Sequence, residues 1–405
     1  MDPLPAHRER PHVRPFLPIG VENEEKKVVV ALRDPSNLRG DGNAPVVPPE
    51  ILPLFQLLQG EHTLEEITEK TGAPREFLVQ LVTVLDEAGL LWGPNAERLE
   101  KAALDRIRAA GAFPKGAASA AGDAPDEATS AIRSMLDAAE DPELDGELLG
   151  IIAPHLDYGR GGRVYASSYK ALARIDRPDR IVILGTNHFG IGDGIVMTTH
   201  GFDSPWGVFA PDAGVLSALE GRLGDRLFKD EIDLLAEHSI SIQLPWIHTT
   251  FGKVPLVAAL VPNPLRPMIA DDGARVTFDE FVEALRDTLA KASGRTLVVA
   301  SADLSHIGPQ FGDETPVGTE IRAQVERYDR ALLSTYLEGN MDAFLGKVGA
   351  DRNAQRWCSV GNMVAAKLVT GALPELIEYG QTPPELDPQG HALVSCASMG
   401  LLRVD

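Results

Sequence analysis

The chain is expected to be an α/β protein, with a central, mostly parallel sheet flanked by helices and a small winged-helix-like domain before it. Three observations lead there. From Gly146 onward, short Val- and Ile-rich runs alternate with amphipathic helical stretches, the pattern of strands feeding crossover helices. Three of those runs lead straight into a histidine: His155 in LGIIAPH, His188 in IVILGTNH and His306 in LVVASADLSH. The residues ahead of Asn95 instead read as strand, helix, short helix, turn, helix and extended tail.

At 405 residues the chain exceeds one small core, and two domains are expected. We place them at 1–95 and 147–405, with a linker at 96–146. A hydrophobic content of 44 % and a charged content of 24 % are those of a globular protein. No apolar run approaches the roughly 18–20 residues that span a bilayer, so no membrane association is expected. The basic N-terminus, MDPLPAHRERPHVRPF, lacks the apolar segment of a secretory signal, and a cytoplasmic location is the default. Two cysteines give no disulfide framework. A formal charge of −21 argues against nucleic acid and anionic membranes as partners of the whole surface.

In the first domain Lys26–Leu32 is a strand. Pro48–Leu58 carries prolines at a helix start and apolar residues at helical spacing. Thr63 with Glu66 three residues on is a capping box for a helix over Thr63–Lys70, ended by Gly72. Arg75–Ala88 is a third helix, stopped by Gly89, and Leu90–Trp92 is extended. Such a module suits docking or dimerisation. DNA contact is the sharper reading, but the last helix ends in Asp86 and Glu87 and carries a single arginine. The following connector includes AASAAGDAPDEATS, the composition of a flexible linker.

In the main domain strands are expected at Leu149–Ala153, Arg180–Leu184, Gly194–Thr198, Pro255–Val261, Thr296–Ala300, Leu376–Tyr379 and Ser395–Val404. Helices are expected at Val164–Ala173, Ala213–Arg222, Thr277–Ala292, Gly318–Leu337 and after Cys358. Ligands of open α/β sheets bind beyond the carboxyl ends of strands. Three strand ends offering imidazoles therefore describe one metal or acid–base site.

In APHLDYGRGG, the glycines Gly159, Gly161 and Gly162 permit close backbone approach, but the run is neither a dinucleotide nor a Walker loop. Asp157 either holds His155 in one tautomer or caps the turn. In LGTNHFG, Gly185 and Gly190 bracket His188. In AEHSISIQLPW, Glu237 and His238 do not form a zinc-protease HExxH helix; His238 is a catalytic candidate, with a supporting or helix-starting role as the alternative. In SADLSHIG, Asp303 and His306 are three apart and share one side of a helical turn, which suits general acid–base chemistry. In RWCSVGN, Cys358 starts a helix, where the dipole favours thiolate.

Taken together, APHLDYGRGG, LGTNHFG, EHSISIQLP, SADLSH and CS resemble the Memo family, also called AmmeMemoRadiSam system protein B. They stand in the family's order and cover about Gly146 to Asp405. RAAGAFP at Arg108–Pro114 looks like a degenerate form of the family's N-terminal HAGSWY stretch. The segment LLQGEHTLEEITEKTG followed by FLVQLVTVLDEAGLL resembles PqqD-like peptide-binding domains, which implies a peptide or protein docked on the first domain. The Memo family is similar in fold to LigB-like class III extradiol dioxygenases, whose iron is held by two histidines and a carboxylate. The resemblance implies His155 and His188 as metal ligands, with Cys358 near the place of the carboxylate. It implies His306, beside Asp303, as the acid–base group. The sequence departs from the pattern at Leu156, Asp157, Phe189 and Ser359.

Three functions compete. One is a redox enzyme using Fe(II) or copper, which a soft sulfur ligand favours over magnesium, acting with radical-SAM and AMMECR-type partners as the resemblance implies. Another is a metal-free cysteine hydrolase or transferase with Cys358 as nucleophile. The third is a non-catalytic scaffold.

Overall fold

The computed structural model describes residues 4–22, 26–189, 194–265 and 273–403. Gly190 and Val404, which figure in the motif and strand expectations above, lie outside them. The chain divides into two compact units, Met1–Gly111 and Ala112–Asp405.

The first unit opens with a short helix, α1 (Ala6–Glu9), followed by the antiparallel strands β1 (Leu17–Glu22), β2 (Val28–Arg33) and β3 (Val46–Val47) in that order. Pro49–Gln56 is a 3-10 turn rather than an α-helix, with Pro53 inside it. Helix α2 (Leu64–Thr71) starts at the expected capping box: Thr63 Oγ1 accepts from Glu66 N, and Glu66 returns the bond to Thr63 N. Gly72 ends it at φ 73°. Helix α3 (Arg75–Glu87) buries Leu78, Leu81, Val82 and Leu85 against Leu64 and Ile67. Helix α4 (Pro94–Ala110) closes the unit, with Leu99, Ala103 and Ile107 buried.

The segment expected to be an open linker is thus largely helical. After α4, strand β4 (Ala112–Phe113) pairs in the second unit, and helix α5 (Pro125–Ala138) buries Ala128 and Ile132 there. Its Ala-rich composition favours helix as much as disorder, and Pro125 stands at the first helical turn.

The second unit is α/β around an eight-stranded mixed sheet. Its first half runs β5 (Glu147–Ala153), α6 (Tyr158–Lys170), β6 (Arg180–Thr186), β7 (Val196–Met197), β8 (Gly201–Phe202), α7 (Ala213–Leu223), α8 (Leu244–Phe251) and β9 (Leu256–Val261). Its second half runs α9 (Phe278–Lys291), β10 (Thr296–Ser301), β11 (Asp303–Ile307), α10 (Thr319–Leu337), α11 (Met341–Ala350), α12 (Val360–Thr370), β12 (Leu373–Gln381) and β13 (Leu393–Arg403). The sheet order is β11-β13-β5-β10-β6-β9-β7, with β12 on β13; β8 pairs instead with β4. Only the central four strands, β5-β10-β6-β9, are parallel. The flanking pairs are antiparallel, so the expected mostly parallel sheet is parallel only at its centre. The cause is local: β12 and β13 form a hairpin, and β11 returns against β13.

Strands β6 and β9 are buried at every position, as strands covered on both faces must be. Helix α12 packs across the four parallel strands, and its Gly361 is required because a Cβ would collide with the Pro262 carbonyl. The parallel strands end at one edge, and His155, His188 and Asp303 follow β5, β6 and β10 there. No helix among the described residues is long and apolar enough to cross a membrane.

Candidate metal centre

His155 leaves β5 two residues after its end. Its ring is buried, and Nδ1 lies 3.0 Å from the Ser301 carbonyl at the end of β10. A carbonyl only accepts, so Nδ1 carries the proton and Nε2 presents its lone pair. Of the two roles open to Asp157, it takes the cap: it is the N-cap of α6, accepting from Arg160 N. The carboxylate beside His155 is that of Asp303, whose Oδ1 accepts from His155 N at 3.1 Å and whose Oδ2 stands 3.6 Å from Nε2.

His188 follows β6 in the same way. Its Nδ1 lies 3.0 Å from the Glu237 carboxylate, which also accepts from His188 N, His238 N and Ser239 N. Glu237 is 1 % exposed in its side chain, so the four donors replace its lost hydration. Burial works against both charges here, and the pairing outweighs it. The His188 imidazole is held well above its ordinary value by Glu237 and Cys358, and the Glu237 carboxyl well below its own by His188 and His238.

His238 is the third ring of the group. Its segment is closed onto β6 by Ser239, whose Oγ accepts from Thr186 N at 3.0 Å and donates to Thr186 O. Gly185 makes room for this, since a Cβ there would lie 2.5 Å from Ser239 Oγ. Ring centroids stand 4.9 Å (His155–His188), 5.1 Å (His188–His238) and 5.4 Å (His155–His238) apart. One nitrogen from each ring lies within 4.8 Å of the others. Burial pushes His238 down to about 4, so it offers a lone pair at neutral pH.

Cys358 and His306 stand beside this group. The half-buried Cys358 sulfur is 3.4 Å from His155 Nε2 and 3.1 Å from Ser359 Oγ. Burial opposes the thiolate, but His155 and His188 bring the thiol down to about 6. Cys358 lies just ahead of α12, whose N-cap is Ser359. His306 Nδ1 donates to the carbonyls of Leu304 and Arg356 at 3.0 and 3.2 Å, leaving Nε2 as an acceptor. Burial lowers its pKa against the pull of Asp303. Burial pushes the Asp303 carboxyl up to about 6, with His306 opposing.

Two placements differ from the sequence reading. His238, expected among the acid–base groups, stands with His155 and His188, whereas Cys358 lies beside His155 as expected, its sulfur 3.4 Å from Nε2. Asp303 and His306 lie on strand β11, not on a helical turn. A register shift sets Asp303 opposite Cys396 and His306 opposite Val394. Partners two apart on β13 face one way, so the bulge restores the shared side that the spacing suggested. Glu237 had no reading as a partner of His188. Its only signal was its position next to His238.

A family model for Memo-like proteins matches residues 114–382. A MEMO1 family protein of Thermus thermophilus is 30 % identical over 302 residues, 72 % of this chain and 84 % of that protein. One from Methanopyrus kandleri is 29 % identical over 246 residues, 57 % of this chain and 76 % of that protein. One from Pyrobaculum aerophilum is 33 % identical over 173 residues, 42 % and 57 % of the two chains. The matched stretch contains every histidine of the trio, Glu237 and Cys358, and on that extent of likeness the chain belongs to the Memo family.

Proposed function

We propose that the second unit is a mononuclear metal centre serving a redox reaction, with His155, His188 and His238 as ligands and Cys358 as the adjacent sulfur donor. The observation that carries this is the convergence of three imidazoles, two of them with Nδ1 committed to an acceptor-only partner. A ring so fixed directs Nε2 at a common point, the arrangement of metal-bound histidines with a carbonyl or carboxylate behind them. Nitrogen donors with one soft sulfur suit Fe(II) or copper and do not suit magnesium or calcium.

A metal held by these side chains would supply one-electron and Lewis-acid chemistry. The chain's own groups do the rest. Glu237 orients His188 and balances positive charge. His306, with Nδ1 tied to two carbonyls, accepts a proton at Nε2, and Asp303 stabilises the resulting imidazolium. Partners of radical-SAM and AMMECR type, and a peptide or protein on the first unit, belong to the same proposal.

A second reading has its own observation: the lowered Cys358 thiol in contact with His155 suits a metal-free nucleophile. Against it, the carboxylate that should orient the base stands at Nε2, the nitrogen that faces the sulfur, while Nδ1 is bonded to a carbonyl. Metal analysis of anaerobically purified protein separates the two. Near-stoichiometric iron or copper, lost in His155→Ala and His238→Ala, supports the centre. Absence of both metals, or zinc alone, overturns the redox assignment.

A further inference from the structure

Behind the site, Asp329 on α10 is completely buried. Four side chains bond to its carboxylate. Oδ1 accepts from Ser305 Oγ at 2.5 Å and Trp357 Nε1 at 2.8 Å; Oδ2 accepts from Ser395 Oγ at 2.6 Å and Tyr379 OH at 2.8 Å. Burial raises its pKa and all four bonds oppose that rise. An apolar residue at this core position would avoid the desolvation of a carboxylate altogether. What the carboxylate adds is connection.

The connections run to the site. Ser305 immediately precedes His306, and Trp357 immediately precedes Cys358. Ser305 N, freed from the ladder by the bulge in β11, donates to Ser395 Oγ at 3.0 Å. That hydroxyl in turn donates to Asp329, so the carboxylate braces the bulge that puts Asp303 and His306 on one side. The loop before Cys358 needs such bracing. Arg352, Asn353 and Arg356 all have φ between 56° and 58°, a left-handed conformation that costs roughly 1–2 kcal/mol for each non-glycine residue. Gln355 ties the same loop to β11, its carbonyl accepting from His306 N and its side-chain amide lying 2.9 Å from Ser305 Oγ.

We propose that Asp329 is a positioning residue that holds Cys358 and His306 against the histidine trio through Trp357 and Ser305. Asp329→Asn keeps the shape but replaces one acceptor oxygen by a donor facing donors, so the brace breaks on one side. The proposal rests on the metal-centre reading for its purpose, yet its test does not need metal. The full-length protein is stripped of metal, and crystal structures of the parent and of Asp329→Asn are compared at the Cys358 sulfur, which in the parent stands 3.4 Å from His155 Nε2. In Asp329→Asn that distance should lengthen by about 1 Å or more as the unbraced loop carries the sulfur away from the imidazoles. Trp357→Phe, which removes only the arm to Cys358, should give the same direction and covers the case in which Asp329→Asn does not fold. A sulfur still 3.4 Å from His155 Nε2 in both folded variants would overturn the proposal. Metal content of the parent, measured separately, decides the metal-centre reading.

Discussion

Replacing Glu237 by glutamine tests the electrostatics of the centre with little change in shape. The carboxylate accepts four N–H groups, from His188 N, His188 Nδ1, His238 N and Ser239 N. Donors face both oxygens, so a glutamine NH2 meets a donor in either orientation. One buried bond is lost and one donor pair is forced together, a destabilisation of about 1–3 kcal/mol. For metal the expectation has two parts. Losing the partner behind a ligating imidazole weakens binding by about 10–100-fold, or roughly 1.4–2.7 kcal/mol. The parent must also shed the proton that Glu237 stabilises on His188, so its affinity climbs about tenfold per pH unit until that raised pKa is passed. In Glu237→Gln the ring is neutral at lower pH and the climb ends earlier. The advantage of the parent over the variant should therefore widen with pH. Competition between cobalt(II)-loaded protein and a chromophoric chelator at pH 6, 7 and 8 reads this ratio. A ratio near one, or one that shrinks as pH rises, would refute the pairing of His188 with Glu237 as the tuning element.

Three further outcomes are expected. His306→Ala should retain metal and, once a substrate is known, lose about 10²–10⁴-fold in turnover, whereas His155→Ala should lose the metal; the reverse pattern of metal content would exchange the two roles. In the metal-free protein the His188–Glu237 pair stabilises the fold above the ordinary Glu value of 4.5, because the folded Glu237 pKa is depressed. That contribution fades as pH rises through the raised His188 value, well above 6.5. Chemical denaturation across pH should show this high-pH loss in the parent and not in His188→Gln. Thr63→Ala removes the N-cap of α2 and should cost about 1 kcal/mol in urea unfolding of the full chain; no change would mean that Glu66 and solvent satisfy the helix end alone.

The strand ends that carry His155 and His188 were legible because a fully buried parallel strand is a continuous apolar run, and the residue after it must lie at the sheet edge. His238 was legible as a candidate but its place beside the other two rings was not, since it stands between irregular turns whose closure depends on Ser239 meeting Gly185, residues far apart in sequence. Strand direction at the sheet flanks left no mark either: β12 and β13 read as strands, but nothing in their composition separates hairpin from crossover. The Ala-rich connector misled because composition alone does not distinguish a helix from a flexible linker. Its signal was Pro125 at a helix start with Ala128 and Ile132 four residues apart on one face. Asp329 left a fainter one, an acid among the apolar positions Val325, Leu332 and Leu333 of α10.

The metal centre is tested most directly by an anomalous difference map from crystals of anaerobically purified protein, recorded above and below the iron, copper and zinc edges. One strong peak is expected at the iron or the copper edge, enclosed by His155, His188 and His238 with the Cys358 sulfur beside it. A peak elsewhere, a peak at the zinc edge alone, or featureless density among the three rings would contradict it.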